Sequence, residues 1–191
     1  MSPQPSNREL LVEGTLRCLE RLPPERVTAR AIAEESGANL ASIAYHFGSK
    51  DDLVTEAVIL GLDRWLVEID ARLGELSDEP PAVRFQRAFT ALEETRQRHS
   101  GLARNFLAAL AKAQHDARVR ELLAAGFARS RTDVATVLGL GDDQAGNDAG
   151  GLVLALFNGL LFQGLLDPDL AIERQRMEAA QARLRRVLPE H

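Results

Sequence analysis

Two short helical segments punctuated by glycines, Val27 to Asp52 (VTARAIAEESGANLASIAYHFGSKDD), constrain this chain more than any other feature. Thr28 is placed to cap a first helix whose apolar face is Ala29, Ile32 and Ala33. Gly37 ends it, because glycine adopts the left-handed backbone of a tight helix exit. Asn39 caps a second helix that carries Leu40, Ile43, Ala44 and Phe47 at helical spacing. Gly48 closes that helix after barely two turns. Ser49 then opens a third, with Asp52 at the reciprocal capping position. Two short helices across a glycine turn make a helix-turn-helix unit, whose second helix enters the major groove of DNA.

The rest of the chain also reads as helix, and no segment alternates with period two long enough to be a strand. Residues 1–5 form a polar tail with Pro3 and Pro5. Ser6 and Glu9 make a capping box that opens a helix over 7–22, stopped by Pro23-Pro24. The helix opened by Ser49 continues to about Leu76, with Leu53, Ala57, Leu60, Trp65, Ile69, Leu73 and Leu76 on one broad face. Ser77 to Pro81 is a break. A helix over 81–98 follows, separated by Ser100-Gly101 from one carrying Leu102, Phe106, Leu107 and Leu110. A further helix spans 115–139, and 139–148 (GLGDDQAGND) is the longest loop. The segment 148–166 is nearly all apolar. Asp167 and Pro168 then supply a cap and first-turn proline for a last helix ending before Pro189. The expected architecture is therefore all-α, with about nine helices: a helix-turn-helix domain over 1–52 and a helical bundle over 53–191.

A helix apolar all round, such as 148–166, must be covered, either inside its own domain or between subunits. Gly151, Ala155 and Gly159 recur every four residues and permit close helix approach. As a membrane span the segment is marginal in length and carries Gly150, Gly151, Asn158, Gly159, Gln163 and Gly164, so no membrane partner is expected.

Charge argues mildly against nucleic acid. The net charge is −5, and residues 1–56 hold six basic against nine acidic side chains. Phosphates need only a few well-placed donors, so this balance predicts weak non-specific binding and does not exclude specific binding. Cys18 is the one cysteine, and the N-terminus lacks an apolar secretory core; both point to a reducing, cytoplasmic setting.

Catalytic and metal patterns are missing. The histidines (His46, His99, His115, His191) form no metal-ligand pair, and Cys18 has no CxxC partner. There is no nucleophile elbow or phosphate-cradling glycine loop. No cofactor and no enzymatic activity are expected. On a short recognition helix the N-terminal residues and one face reach base edges; here these are Asn39, Ala41, Ser42, Tyr45 and His46. Lys50, in the first turn of the next helix, and Thr28 and Arg30, at the start of the first, are placed to hold phosphates.

The same residues resemble the TetR (tetracycline-repressor-like) family of bacterial regulators. The matching elements are VTARAIAEESGA, the short helix ending in Tyr45-His46-Phe47, and Gly48-Ser49-Lys50-Asp51-Asp52-Leu53. The resemblance implies DNA-contact roles for Thr28, Ser42, Tyr45, His46 and Lys50, and a homodimer interface built from the last two helices, about 148–188. Leu40 and Ala44 stand where many family members carry lysine and tyrosine, so base preference does not transfer. On this reading the chain is a transcriptional regulator, a repressor released from a palindromic operator in double-stranded DNA by a lipophilic or amphipathic effector. Helical bundles hold such ligands between apolar walls with a few polar groups. Trp65, Phe85, Phe89, His99, Asn105, Phe106, Gln114 and Asn158 are the candidate ligand contacts. The alternative is a helical carrier of a hydrophobic molecule without DNA function. A carrier has no need of a two-turn helix bearing Tyr45 and His46 before Lys50.

Overall fold

The computed structural model describes residues 6–73 and 78–186, and among these nine α-helices and no strand occur. They are α1 (Asn7–Arg21), α2 (Ala29–Ser36), α3 (Ala41–Phe47), α4 (Lys50–Leu73), α5 (Pro81–Arg96), α6 (Ser100–Lys112), α7 (Ala117–Leu138), α8 (Gln144–Leu166) and α9 (Arg174–Leu184). Short 3-10 turns occupy Pro24–Arg26 and Pro168–Leu170. Among the described residues, packing gathers 6–68 and 98–131 into one compact unit and 69–73, 78–97 and 132–186 into another. Most of α4 and most of α7 thus pack with α1–α3 and α6.

In the first unit, local chemistry sets the helix ends. Ser6 and Glu9 form the reciprocal capping box that opens α1. Thr28 Oγ1 accepts the Ala31 amide at 3.1 Å to open α2, and Gly37 ends it at φ +68°. Asn39 acts one residue earlier than a standard cap. Its Oδ1 accepts from the Ala41 amide at 2.9 Å, and Leu40 occupies the cap position. Ser49 Oγ accepts the Asp52 amide at 3.0 Å at the start of α4. The buried core contains Leu11, Leu19, Ile32, Leu53, Val58 and Val119, each contributing about 1.5–3 kcal/mol through burial. A Cβ at Gly14 would lie 2.5 Å from Ser36 Cβ, so glycine there lets α1 and α2 touch.

Gly101 departs from expectation. It lies inside α6, and the break expected at Ser100-Gly101 falls instead at 97–99. A Cβ on Gly101 would stand 2.4 Å from the Leu19 carbonyl oxygen, so this glycine permits close approach to the end of α1.

In the second unit the core is built from Phe89, Leu92, Val134, Leu138, Leu161 and Met177. Here α8 begins four residues before the expected start, because Asp143 Oδ1 accepts the Gly146 amide at 2.8 Å. The expected ten-residue loop shrinks to 139–143, with Gly139 and Gly141 at φ +66° and +101°. Asp167 and Pro168 open the 3-10 turn rather than the last helix, and α9 starts at Arg174 after Glu173. The tail 1–5, the expected helix end near Leu76 and the expected end before Pro189 lie outside the described residues.

Candidate nucleic-acid interface

The α2–α3 pair is held from behind by charge. Glu35 accepts from Arg17 Nε at 2.7 Å and from Arg21, which fastens α2 to α1. The Arg17 hydrogen bond, with help from Arg21, holds the Glu35 carboxyl below its usual range. Ile43 and Phe47 of α3 point inward and are buried, and the Arg8 guanidinium sits 5.0 Å over the Phe47 ring. A seven-residue helix has little stability of its own, so these contacts determine how α3 is presented.

The opposite side of α3 faces solvent. Tyr45 is 85% exposed and Leu40 52%, and Ala41 and Ala44 are exposed beside them. Asn39 is exposed, while Ser42 and His46 are half-buried. The His46 ring meets the Tyr45 ring edge-on at 4.8 Å. Arg30 is exposed and pairs with Glu34 at 3.1 Å. Leu40 and Ala44, which helical spacing grouped with Ile43 and Phe47, lie on this exposed side instead of in the core.

Lys50 is not idle. Its Nζ lies 2.9 Å from Asp51 Oδ1 and 3.5 Å from the Val27 carbonyl oxygen, which brings the first turn of α4 against the residue preceding Thr28. Lys112 at the end of α6 binds the other oxygen of Asp51. The chain has two lysines, and both converge on this carboxylate. Burial pushes the Asp51 carboxyl up, but hydrogen bonds from Lys112 and Lys50 outweigh it and hold the group below the usual range.

The expected ligand contacts divide between the two units. In the first, the Trp65 ring stacks on His99 at 4.7 Å, and His99 Nε2 lies 3.0 Å from Glu68 Oε2. His99 also lines an open cleft of about 210 Å³ with Leu16, Gly61, Leu102 and the Glu13–Arg64 ion pair. Phe106 is buried against Phe127 at 5.7 Å, and Gln114 is exposed at the end of α6. Asn105 does not face a cavity. It is 2% exposed, and its Nδ2 donates to the carbonyls of Leu19, Leu22 and Gly101 at 3.3, 3.5 and 3.0 Å. In the second unit Phe85 and Phe89 flank Phe157 at 5.5 and 6.4 Å, and the neighbouring Asn158 is half-buried.

The apolar helix α8 is long and apolar enough to cross a membrane, yet the chain itself covers little of it. Leu152 is 75% exposed, Leu156 and Ala155 are exposed, and a Cβ at Gly159 would meet nothing within 4 Å. Of the two coverings open from sequence, burial inside its own domain is thus not what the fold provides.

The defining pattern of bacterial regulatory proteins of the tetR family matches residues 11–57, and that of the C-terminal region of BetI-type transcriptional repressors matches residues 81–189. The chain belongs to the TetR family. The HTH-type transcriptional regulator BetI of Serratia proteamaculans (strain 568) is 29% identical over 120 residues, an alignment spanning 62% of this chain and 60% of that protein. Among solved structures, a candidate transcriptional regulator of Streptomyces coelicolor A3(2) superposes with TM-score 0.67 at 25% identity, covering 92% of this chain and 96% of the other. The multidrug binding protein EbrR, complexed with imidazole, superposes with TM-score 0.69 at 21% identity, covering 95% and 90%. The TetR-type fold thus extends across both packing units.

Proposed function

We propose that the protein is a cytoplasmic, non-enzymatic transcriptional regulator. On this reading it binds a palindromic operator as a homodimer and represses until a small effector releases it. The observation that carries the reading is the presentation of α3. Its inner face is locked by Ile43 and Phe47, while its outer face, led by Tyr45, is left to solvent. Residues 1–52 act as the DNA-binding part and 53–191 as the effector-binding and dimerising part. Asn39, Ser42, Tyr45 and His46 meet bases or nearby phosphates; Thr28, Arg30 and Lys50 meet phosphates. To bind, Lys50 exchanges its Asp51 contact for a phosphate oxygen, and Lys112 stays behind to neutralise Asp51.

Dimerisation through α8 and α9 is supported by the uncovered apolar side of α8, with Leu152, Ala155 and Leu156 exposed and open space at Gly159; Gly151, Ala155 and Gly159 would allow close approach of a second copy. Two copies must present their α3 helices about 34–36 Å apart, one DNA turn, or a multiple of it. An effector seated among the aromatic side chains of 57–166 acts only as far as it prefers one spacing over the other. That EbrR was crystallised with imidazole supports a fold able to accept a small molecule.

The test is selection from a random duplex pool with the full chain, followed by light scattering of the complex. Enriched inverted repeats bound by two copies are expected. A pool that shows no enrichment would sink the DNA-binding reading and favour a helical carrier.

A further inference from the structure

The recognition helix has the wrong side chains for the commonest base contacts. Between Ala38 and Gly48 there is no arginine, lysine or glutamine, the residues that grip guanine or adenine with two hydrogen bonds. Asn39 alone has the needed amide, and its Oδ1 is turned back onto the Ala41 amide at 2.9 Å. What α3 offers instead is apolar. Leu40, Ala41 and Ala44 are all exposed, and the spacings 40–44 and 41–44 make them neighbours on one patch bordered by Tyr45 through the 41–45 pair. Leu40 stands half in water at the start of α3, which packs against α1, and lies outside the buried core.

Resting on the reading of α3 as the DNA-reading helix, we propose that Leu40, with Ala41 and Ala44, reads thymine C5-methyl groups, so that each operator half-site carries thymine opposite the start of α3. The major groove presents one distinctive apolar group, the thymine methyl, and every other signal there is a donor or an acceptor. The patch adjoins Ser42 and Tyr45, so it meets base edges whenever they do.

Deoxyuridine is the decisive probe, because it removes the methyl and leaves the hydrogen-bonding pattern of the base pair intact. The full-length protein is titrated, at one fixed salt concentration, with the operator recovered by selection and with versions carrying uracil at one thymine in both half-sites. Losing one buried methyl weakens a half-site about fourfold, so a symmetric substitution weakens the dimer complex about fifteenfold. Leu40→Ala should shrink this discrimination to within about twofold while leaving the helical circular dichroism unchanged, since Leu40 lies outside the core. The proposal is overturned if uracil at every thymine leaves the Kd within twofold, or if the selected half-sites lack thymine. It also falls if Leu40→Ala keeps the full discrimination. If no operator is enriched at all, the proposal falls together with the regulator reading. Enrichment of an operator indifferent to uracil removes this inference alone.

Discussion

Replacing Asn105 by alanine removes the hydrogen bonds that tie α6 to the end of α1. The Leu19 carbonyl would normally accept from the amide four residues on, but that residue is Pro23, which has none. The Leu22 carbonyl likewise has no helical partner, because the Arg26 amide bonds to Pro23 instead. The Asn105 amide satisfies both from 86 and 83 residues away, in a position 2% exposed. Its third acceptor, the Gly101 carbonyl, lies within α6 and keeps the helix's own ladder. The bonds of 3.3 and 3.5 Å are long, so leaving the pair unsatisfied should cost about 2 kcal/mol, within the usual 1–3 kcal/mol for a buried unmet polar group. In a chain of this size that lowers Tm by roughly 4–8 °C. Urea unfolding should show a reduced midpoint at constant m. Asn105→Asp is the sharper variant. It turns a buried oxygen toward two carbonyl oxygens, so it should be less stable than the alanine variant at neutral pH and recover as the carboxyl is protonated. An Asn105→Ala protein within about 0.3 kcal/mol of wild type, or an Asp variant more stable than the Ala one, would refute the hydrogen-bond account.

Lys50→Ala should weaken all duplexes alike and reduce the slope of log affinity against log salt by about 0.9, the share of one phosphate, in fluorescence-anisotropy titrations. Asp51 has a lowered folded-state pKa, so its stabilisation is present above the unfolded carboxylate value and is lost as pH falls through the folded one. Asp51→Asn should therefore flatten the acid limb of the stability profile below about pH 4; an unchanged limb would mean the two lysines do not act through this group. Gly159→Arg should give monomers or insoluble protein by light scattering, since a charge would enter the proposed α8 contact with a second copy. A soluble dimer would move the interface off this side of α8.

Where structure depends on a few adjacent residues, the sequence determined it. Ser6 with Glu9, Thr28 before α2, Ser49 before α4 and the left-handed Gly37 each act through hydrogen bonds or backbone freedom within four residues. Helical period grouped Ile43 and Phe47 with Leu40 and Ala44, and of these four only Ile43 and Phe47 are buried. Composition likewise marked α8 as a helix that needs a cover. Tertiary structure decided the rest. Gly101 reads locally as a helix break, but the Leu19 carbonyl leaves no room for a side chain there, and it lies inside α6. Asn105 reads as a polar group for a pocket, yet it serves two carbonyls at the end of α1, more than eighty residues away, that helical bonding leaves without a donor. Lys50 reads as a free phosphate ligand, but it pairs with Asp51, a carboxylate that the distant Lys112 also binds. Periodicity could not say whether its own chain covers α8, because that depends on which surfaces the other helices have already used. Contacts of this kind join residues far apart in the chain, and no local pattern encodes which pairs will meet.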